Sequence, residues 1–320
     1  MSVRGGALML VTALAALLLL PFVAEKFYVQ FATKVLVMAI FAASLNLLVG
    51  YTGLVSLGHA AFFGIAGYLL ALVTPQYEAA DLWSSLLLAV GAAALLALVV
   101  GALVVRTSGI YFIMATLAFA QMLYFLFHDT SLAGGSDGIY IYVRPQANIG
   151  GWRPFDLENF RHLYFVVLAM FVLVLGFLRA LVDSPFGRVI AGIRVNEQRM
   201  RALGFATFRY KLVCFVIGGA LAGLAGYLSA VQFGVVNPDM LGWHLSGSAL
   251  MMVILGGMGT LPGPVLGAVT IMLLELGFQS LTKHWQLLMG AVIVLVALAL
   301  PQGLAGLVAL PGTARARDDG

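Results

Sequence analysis

Charged residues make up only 9% of this 320-residue chain, against about 25% in an ordinary soluble domain. Cysteine is scarcer still. Cys214 stands alone in an apolar run, which excludes an intramolecular disulfide and any thiolate metal cluster. The histidines, His59, His128, His162, His244 and His284, are scattered, with no pair at metal-ligand spacing, so no metal site is expected. No GxxxxGK[ST] loop occurs, nor any Gly-Lys dipeptide, so the chain lacks the phosphate cradle of an ATPase. No Ser/His/Asp grouping is suggested by spacing. No catalytic residue is assigned, and nothing points to an enzyme.

What the chain has instead is apolar sequence, 62% of all residues. Several runs reach or approach the ~20 residues that carry a helix across a bilayer. The expected fold is all-α, a polytopic transmembrane bundle of about eight to ten spans with two broken or re-entrant segments. Candidate spans are 7–23, 31–49, 54–73, 84–105, 109–128, 162–180, 212–236, 245–258, 263–282 and 285–309. The first is read as an uncleaved span, because no small-x-small cleavage site precedes Glu25. Residues 1–311 form one transmembrane domain on this reading, and 312–320 a short tail. The net charge of +4 could suggest nucleic acid, but the basic residues cluster beside spans, so membrane topology explains them.

The long polar interval of the second half is Asp183–Lys211, with six basic residues against Asp183 and Glu197. The 129–161 loop balances Arg144, Arg153 and Arg161 against four acidic residues, for a net −1. The positive-inside rule therefore puts 183–211 and both termini in the cytoplasm, and 129–161 outside. Lys26 and Lys34 then fall outside; Lys34 can snorkel from the end of its span. Within the inner loop, Ser184 followed by Pro185 reads as an N-cap with proline in the first turn. Ile190, Ile193, Met200 and Leu203 then share a face, Glu197 precedes Arg201 by four residues, and Gly204 offers a stop. A solvated loop and a helix that docks on a partner both fit this pattern.

Helix breakers interrupt apolar sequence at Gly50–His59 (GYTGLVSLGH) and at Gly256–Pro264 (GGMGTLPGP). Backbone released from a helix cannot face lipid, so each stretch packs in protein, lines a wet cavity or turns at the surface. Candidate pathway residues follow: Asn46, Ser56 and His59 around the first break, Gly256, Gly257 and Thr260 in the second, and Glu275 beyond it. Thr116 and Gln121 are the other polar groups within spans. Ionisable groups in lipid are costly, which makes Glu275 and His59 functional candidates by default. The small-residue pairs Ala60/Gly64, Gly219/Gly223 and Ala222/Gly226 are read as helix-packing positions.

Four stretches carry a family resemblance. Gly50–Leu69 (GYTGLVSLGHAAFFGIAGYL), Arg106–Met122 (RTSGIYFIMATLAFAQM) with Gly134–Ile139, the 184–211 loop and Leu255–Val269 (LGGMGTLPGPVLGAV) occur in order. Together they resemble the LivM-like permease subunits of branched-chain amino-acid ABC importers over roughly residues 30–300. The resemblance implies a transport subunit in a bacterial-type inner membrane. It also implies a related second permease, an external solute-binding protein and two separate ATPase subunits holding ATP and magnesium. It gives the loop residues Ser184, Pro185, Arg188, Ile193, Arg194, Glu197, Arg201 and Gly204 the role of ATPase coupling. The strict Glu-Ala-Ala of the general coupling pattern is not kept; only Glu197, Ala202 and Gly204 follow its shape. Relatives of this type carry branched-chain amino acids, urea, short amides or aromatic acids. A secondary transporter using Glu275 and His59, and a membrane scaffold without a pathway, are the readings from other classes.

Overall fold

The computed structural model describes residues 12, 15–75, 78–130, 133–148, 155–300 and 303–308. The expected tail 312–320 and the start of the first expected span lie outside them; helix α1 occupies 15–23. Helix α2, Lys26–Asn46, continues into a wider π-type turn over Leu47–Thr52. Then come α3 (Ala60–Val73), α4 (Leu82–Val104) and α5 (Ile110–Asp129). A two-residue strand β1 (Ile139–Tyr140) leads to α6 (Phe160–Asp183), and two short helices follow, α7 (Pro185–Val195) and α8 (Glu197–Ala202). Helix α9 (Thr207–Phe233) precedes β2 (Val235–Val236), and α10 (Trp243–Gly256), α11 (Gly263–Leu281), α12 (Trp285–Ala299) and α13 (Leu304–Val308) complete the order.

Among the described residues, six helices are long and apolar enough to cross a membrane: α2 with its π turn, α4, α5, α6, α9 and α11. They differ in where they sit. In its most apolar stretch α2 is 94% buried within the chain, whereas α5 is 17% buried. Helix α2 is therefore the central post, and α5 lies at the periphery with Ile110, Tyr111 and Met122 exposed. Small residues set the packing around that post. A Cβ at Gly223 would run into Ala93 of α4, and one at Gly226 would run into the backbone of Phe63 in α3. The expected small-residue pairs on α9 are thus the seams through which α3 and α4 approach it.

Three expected spans are shorter or broken. The 54–73 segment becomes helical only at Ala60, and α10 has 14 residues, like α3. At ~1.5 Å per residue, 14 residues fall well short of a ~30 Å hydrocarbon core. The 285–309 segment stops at Ala299 and resumes at Leu304, because Gly303, at φ 67°, folds against the backbone of Gly257. Helices α3 and α10 begin beside each other deep in the protein: the Ala60 amide donates to Ser246 Oγ at 2.8 Å, with both residues fully buried. From that junction α3 runs to the Gly138–Tyr142 segment, while α10 runs to Gly50 and Arg194. The two half-length helices therefore point in opposite directions. In the second half of the chain, the segment that feeds such a helix is 234–242, which holds β2 and a single 3-10 turn over Pro238–Leu241 rather than the end of the span expected over 212–236.

The described part of the 129–161 loop is tied to the bundle at two places. Its β1 pairs antiparallel with β2, Ile139 opposite Val236. Arg144 donates to the carbonyls of Leu157, Glu158 and Gln232 at 3.0–3.2 Å.

Candidate functional site

Helix α7 starts as its sequence dictates. Ser184 caps it by accepting from the Gly187 amide at 3.3 Å, with Pro185 in the first turn. A side chain at Gly187 would strike the carbonyl of Val182, so glycine there lets α7 fold back tightly on α6. Ile190 and Ile193 are buried on its inner face. The single helix expected across 184–204 is two. Asn196 adopts an extended conformation, φ −156° and ψ 99°, and its Oδ1 accepts from the Arg199 amide at 2.9 Å, capping α8. An asparagine that satisfies an orphan amide restarts a helix more favourably than it continues one. Gly204 ends the unit at φ 87°, the left-handed stop expected of it.

Glu197 binds this unit to the foot of α9. Its Oε1 accepts from Arg201 at 2.6 Å and from Thr207 at 3.0 Å, and its Oε2 from Lys211 at 3.1 Å. Arg201 Nε completes the ring by donating to Thr207 Oγ1 at 3.0 Å. Partial burial pushes the Glu197 carboxyl upward, but the hydrogen bonds from Lys211, Arg201 and Thr207 prevail, so its pKa is lowered. Thr207 and Lys211 were not singled out as site residues; nothing in the spacing distinguishes them from other residues at a helix start. Outside this ring the unit presents Val195, 87% exposed, and Leu203, 65% exposed, beside the exposed Arg188 and Arg199. An open cleft of about 560 Å³ lies next to them, lined by residues such as Phe186, Arg188 and Met200.

Arg194 reaches the other way. Its Nη1 donates to the carbonyl of Gly50, in the π turn that ends α2, and its stem lies against Gly53. From the same turn of chain Asn46 closes on the second interruption: Nδ2 donates to the Thr260 carbonyl at 2.9 Å, and Oδ1 accepts from the Gly259 amide at 3.0 Å. Thr260 Oγ1 donates to the Gly257 carbonyl and accepts from the Gly263 amide, holding the loop's own shape. Gly257 and Gly259 have φ of 116° and 76°, values that only glycine adopts without strain. Residues expected in two separate roles, coupling loop and pathway, thus meet in one hydrogen-bonded node.

The family described as "Branched-chain amino acid transport system / permease component" matches residues 27–297, a range that contains this whole node. The chain belongs to that family. The permease is 31% identical over 316 residues to the high-affinity branched-chain amino acid transport system permease protein LivM of Escherichia coli strain K12, covering 93% of this chain and 74% of the relative. It is 28% identical over 202 residues to LivH of Salmonella typhimurium strain LT2, covering 61% of this chain and 64% of the relative. It is also 29% identical over 146 residues to BraD of Pseudomonas aeruginosa, covering 45% and 47%. No solved structure matches.

The remaining candidates of the permease lie elsewhere. His59 is fully buried, with Nε2 2.8 Å from Ser44 Oγ and its ring stacked on Phe41 at 5.4 Å. Ser56 is also fully buried and accepts from the Gly58 amide. Gly256 packs so closely on Gly263 that a Cβ would strike its carbonyl. Glu275 accepts from Gln279 at 3.1 Å and lines a cavity between the start of α2, the end of α9 and α11. His59 is absent from that lining, so these two groups do not form a shared proton path among the described residues.

Proposed function

We propose that this protein is the membrane-spanning subunit of an ATP-driven importer for branched-chain, hydrophobic amino acids, working beside a related permease in a bacterial inner membrane. Two ATPase subunits, with ATP and magnesium bound there, dock on α7–α8 from the cytoplasm, and an external binding protein delivers solute at the 129–161 side. The observation that carries the reading is the contact chain from α7 to both interruptions. The exposed, basic and apolar surface of α7–α8 is suited to a partner interface. Directly behind it, Arg194 holds Gly50 and Asn46 holds Gly259 and Thr260. A push on α7 is therefore a push on both interruptions, Gly50–His59 and Gly256–Pro264. The substrate class follows from the names of the relatives.

Vesicles containing the assembled complex test this. Uptake of labelled L-leucine should require ATP and loaded binding protein and should be indifferent to protonophores. Uptake by this chain alone, abolished by a protonophore, would overturn it.

A further inference from the structure

The cavity that holds Glu275 gathers three charged side chains at one end of the apolar bundle. It measures about 510 Å³, inside the ~300–1,000 Å³ range of small-molecule sites. Lys34 of α2 and Arg144 of the 129–161 loop line it together with Glu275. Lys34 and Glu275 belong to membrane-length helices, where a charged side chain persists only if it faces protein or water and has a partner. Among the described residues neither forms an ion pair, although both line one cavity. Arg144 is fixed by its three carbonyl acceptors and retains unused donors, since a guanidinium carries five. Phe31, Phe233 and Met272 provide the apolar surface.

A lysine without an ion pair, an arginine with donors to spare, a carboxylate and an aromatic wall suit a ligand that carries both charges and an apolar body. We propose that this cavity binds a zwitterionic α-amino acid with an apolar side chain. Lys34 and Arg144 take the carboxylate, Glu275 takes the ammonium, and Phe31, Phe233 and Met272 cover the side chain. This rests on the importer reading, because it makes the cavity the entry site on the side where solute is delivered.

The full complex tests it without transport. Cys214 is buried, so a Leu276→Cys variant, on the cavity wall and leaving the Gln279–Glu275 hydrogen bond in place, gives this chain a single accessible thiol, whose alkylation is read on this subunit alone. L-leucine should slow its alkylation several-fold, while 4-methylpentanoate and 3-methylbutylamine, each lacking one charge, should not. Adding Glu275→Gln or Lys34→Gln should abolish the protection and lower leucine uptake by about ten- to a hundredfold, as loss of a charge-assisted contact does. Lys283→Gln, outside the cavity, should keep wild-type protection, uptake and binding-protein-stimulated ATPase activity. No protection by leucine, or equal protection by a singly charged analogue, would overturn the proposal. Absent uptake by the wild-type complex would instead overturn the importer reading and leave the protection result to stand alone.

Discussion

The Arg194 guanidinium donates to the backbone carbonyl of Gly50, a residue 144 positions earlier in the chain. One end of this contact lies on a surface helix and the other in the π turn that terminates the central helix of the bundle. Losing the donor leaves a buried carbonyl unpaired, which costs about 1–3 kcal/mol. Arg194→Ala should therefore lower coupled uptake by about tenfold or more while the ATPase subunits continue to hydrolyse ATP. Arg194→Lys should recover only part of it, because an ammonium lacks the planar fork. Parallel uptake and hydrolysis assays check this.

Asn46 uses both faces of its amide on the second interruption. Asn46→Leu strands the Gly259 amide and the Thr260 carbonyl together, at a cost of about 2–6 kcal/mol. Asn46→Asp keeps an acceptor but loses the donor, and brings a charge into a buried site. Both variants should melt well below wild type in detergent, as measured by thermal denaturation of the purified complex.

Glycine substitutions should divide by location. A Cβ at Gly50 would collide with the backbone of Gly259, and one at Gly256 with the carbonyl of Gly263, whereas one at Gly91 meets nothing within 4 Å. Gly50→Ala and Gly256→Ala should reduce the yield of folded protein sharply. Gly91→Ala, in the interior of α4, should be neutral or stabilising by about 0.5–1 kcal/mol. Expression and size-exclusion profiles of the three variants separate these outcomes.

Acid should loosen the α8–α9 junction. The pKa of Glu197 is lowered in the folded protein from its ordinary 4.5, so its contribution is complete above that value. It is lost as the pH falls from there through the lowered folded value. Amide exchange over 197–207 should accelerate in that window and stay flat from neutrality down to it. Glu197→Gln should remove the dependence. It should also destabilise the junction by about 1–3 kcal/mol, less than the ~3–5 of a fully buried pair, because the Glu197 side chain remains 26% exposed.

Much of this was legible in the sequence, for reasons that differ by element. The long helices declared themselves because lipid demands unbroken apolar runs. Ser184-Pro185 marked the start of α7, since both residues act locally. The division at Asn196 was hidden, because Ile190, Ile193, Met200 and Leu203 keep helical spacing across it. The junction of α3 with α10 was hidden too: the breakers of Gly50–His59 were visible, but the bond from the Ala60 amide to Ser246, 186 positions away, was not. The node of Arg194, Gly50, Asn46 and Gly259 joins residues more than 140 positions apart in two of its links. Its members could be chosen as candidates, but not assembled. Glu275 was recognised by its cost in lipid, whereas Lys34 had been explained by snorkelling and so was not associated with it.

The coupling claim is tested most directly by counting leucine molecules imported per ATP hydrolysed in the reconstituted complex, with charge reversed at Arg194, Glu197 and Arg201 together. The account predicts a complex that inserts normally and hydrolyses ATP, with uptake per ATP near zero. A wild-type ratio in that variant would show that the energy enters elsewhere.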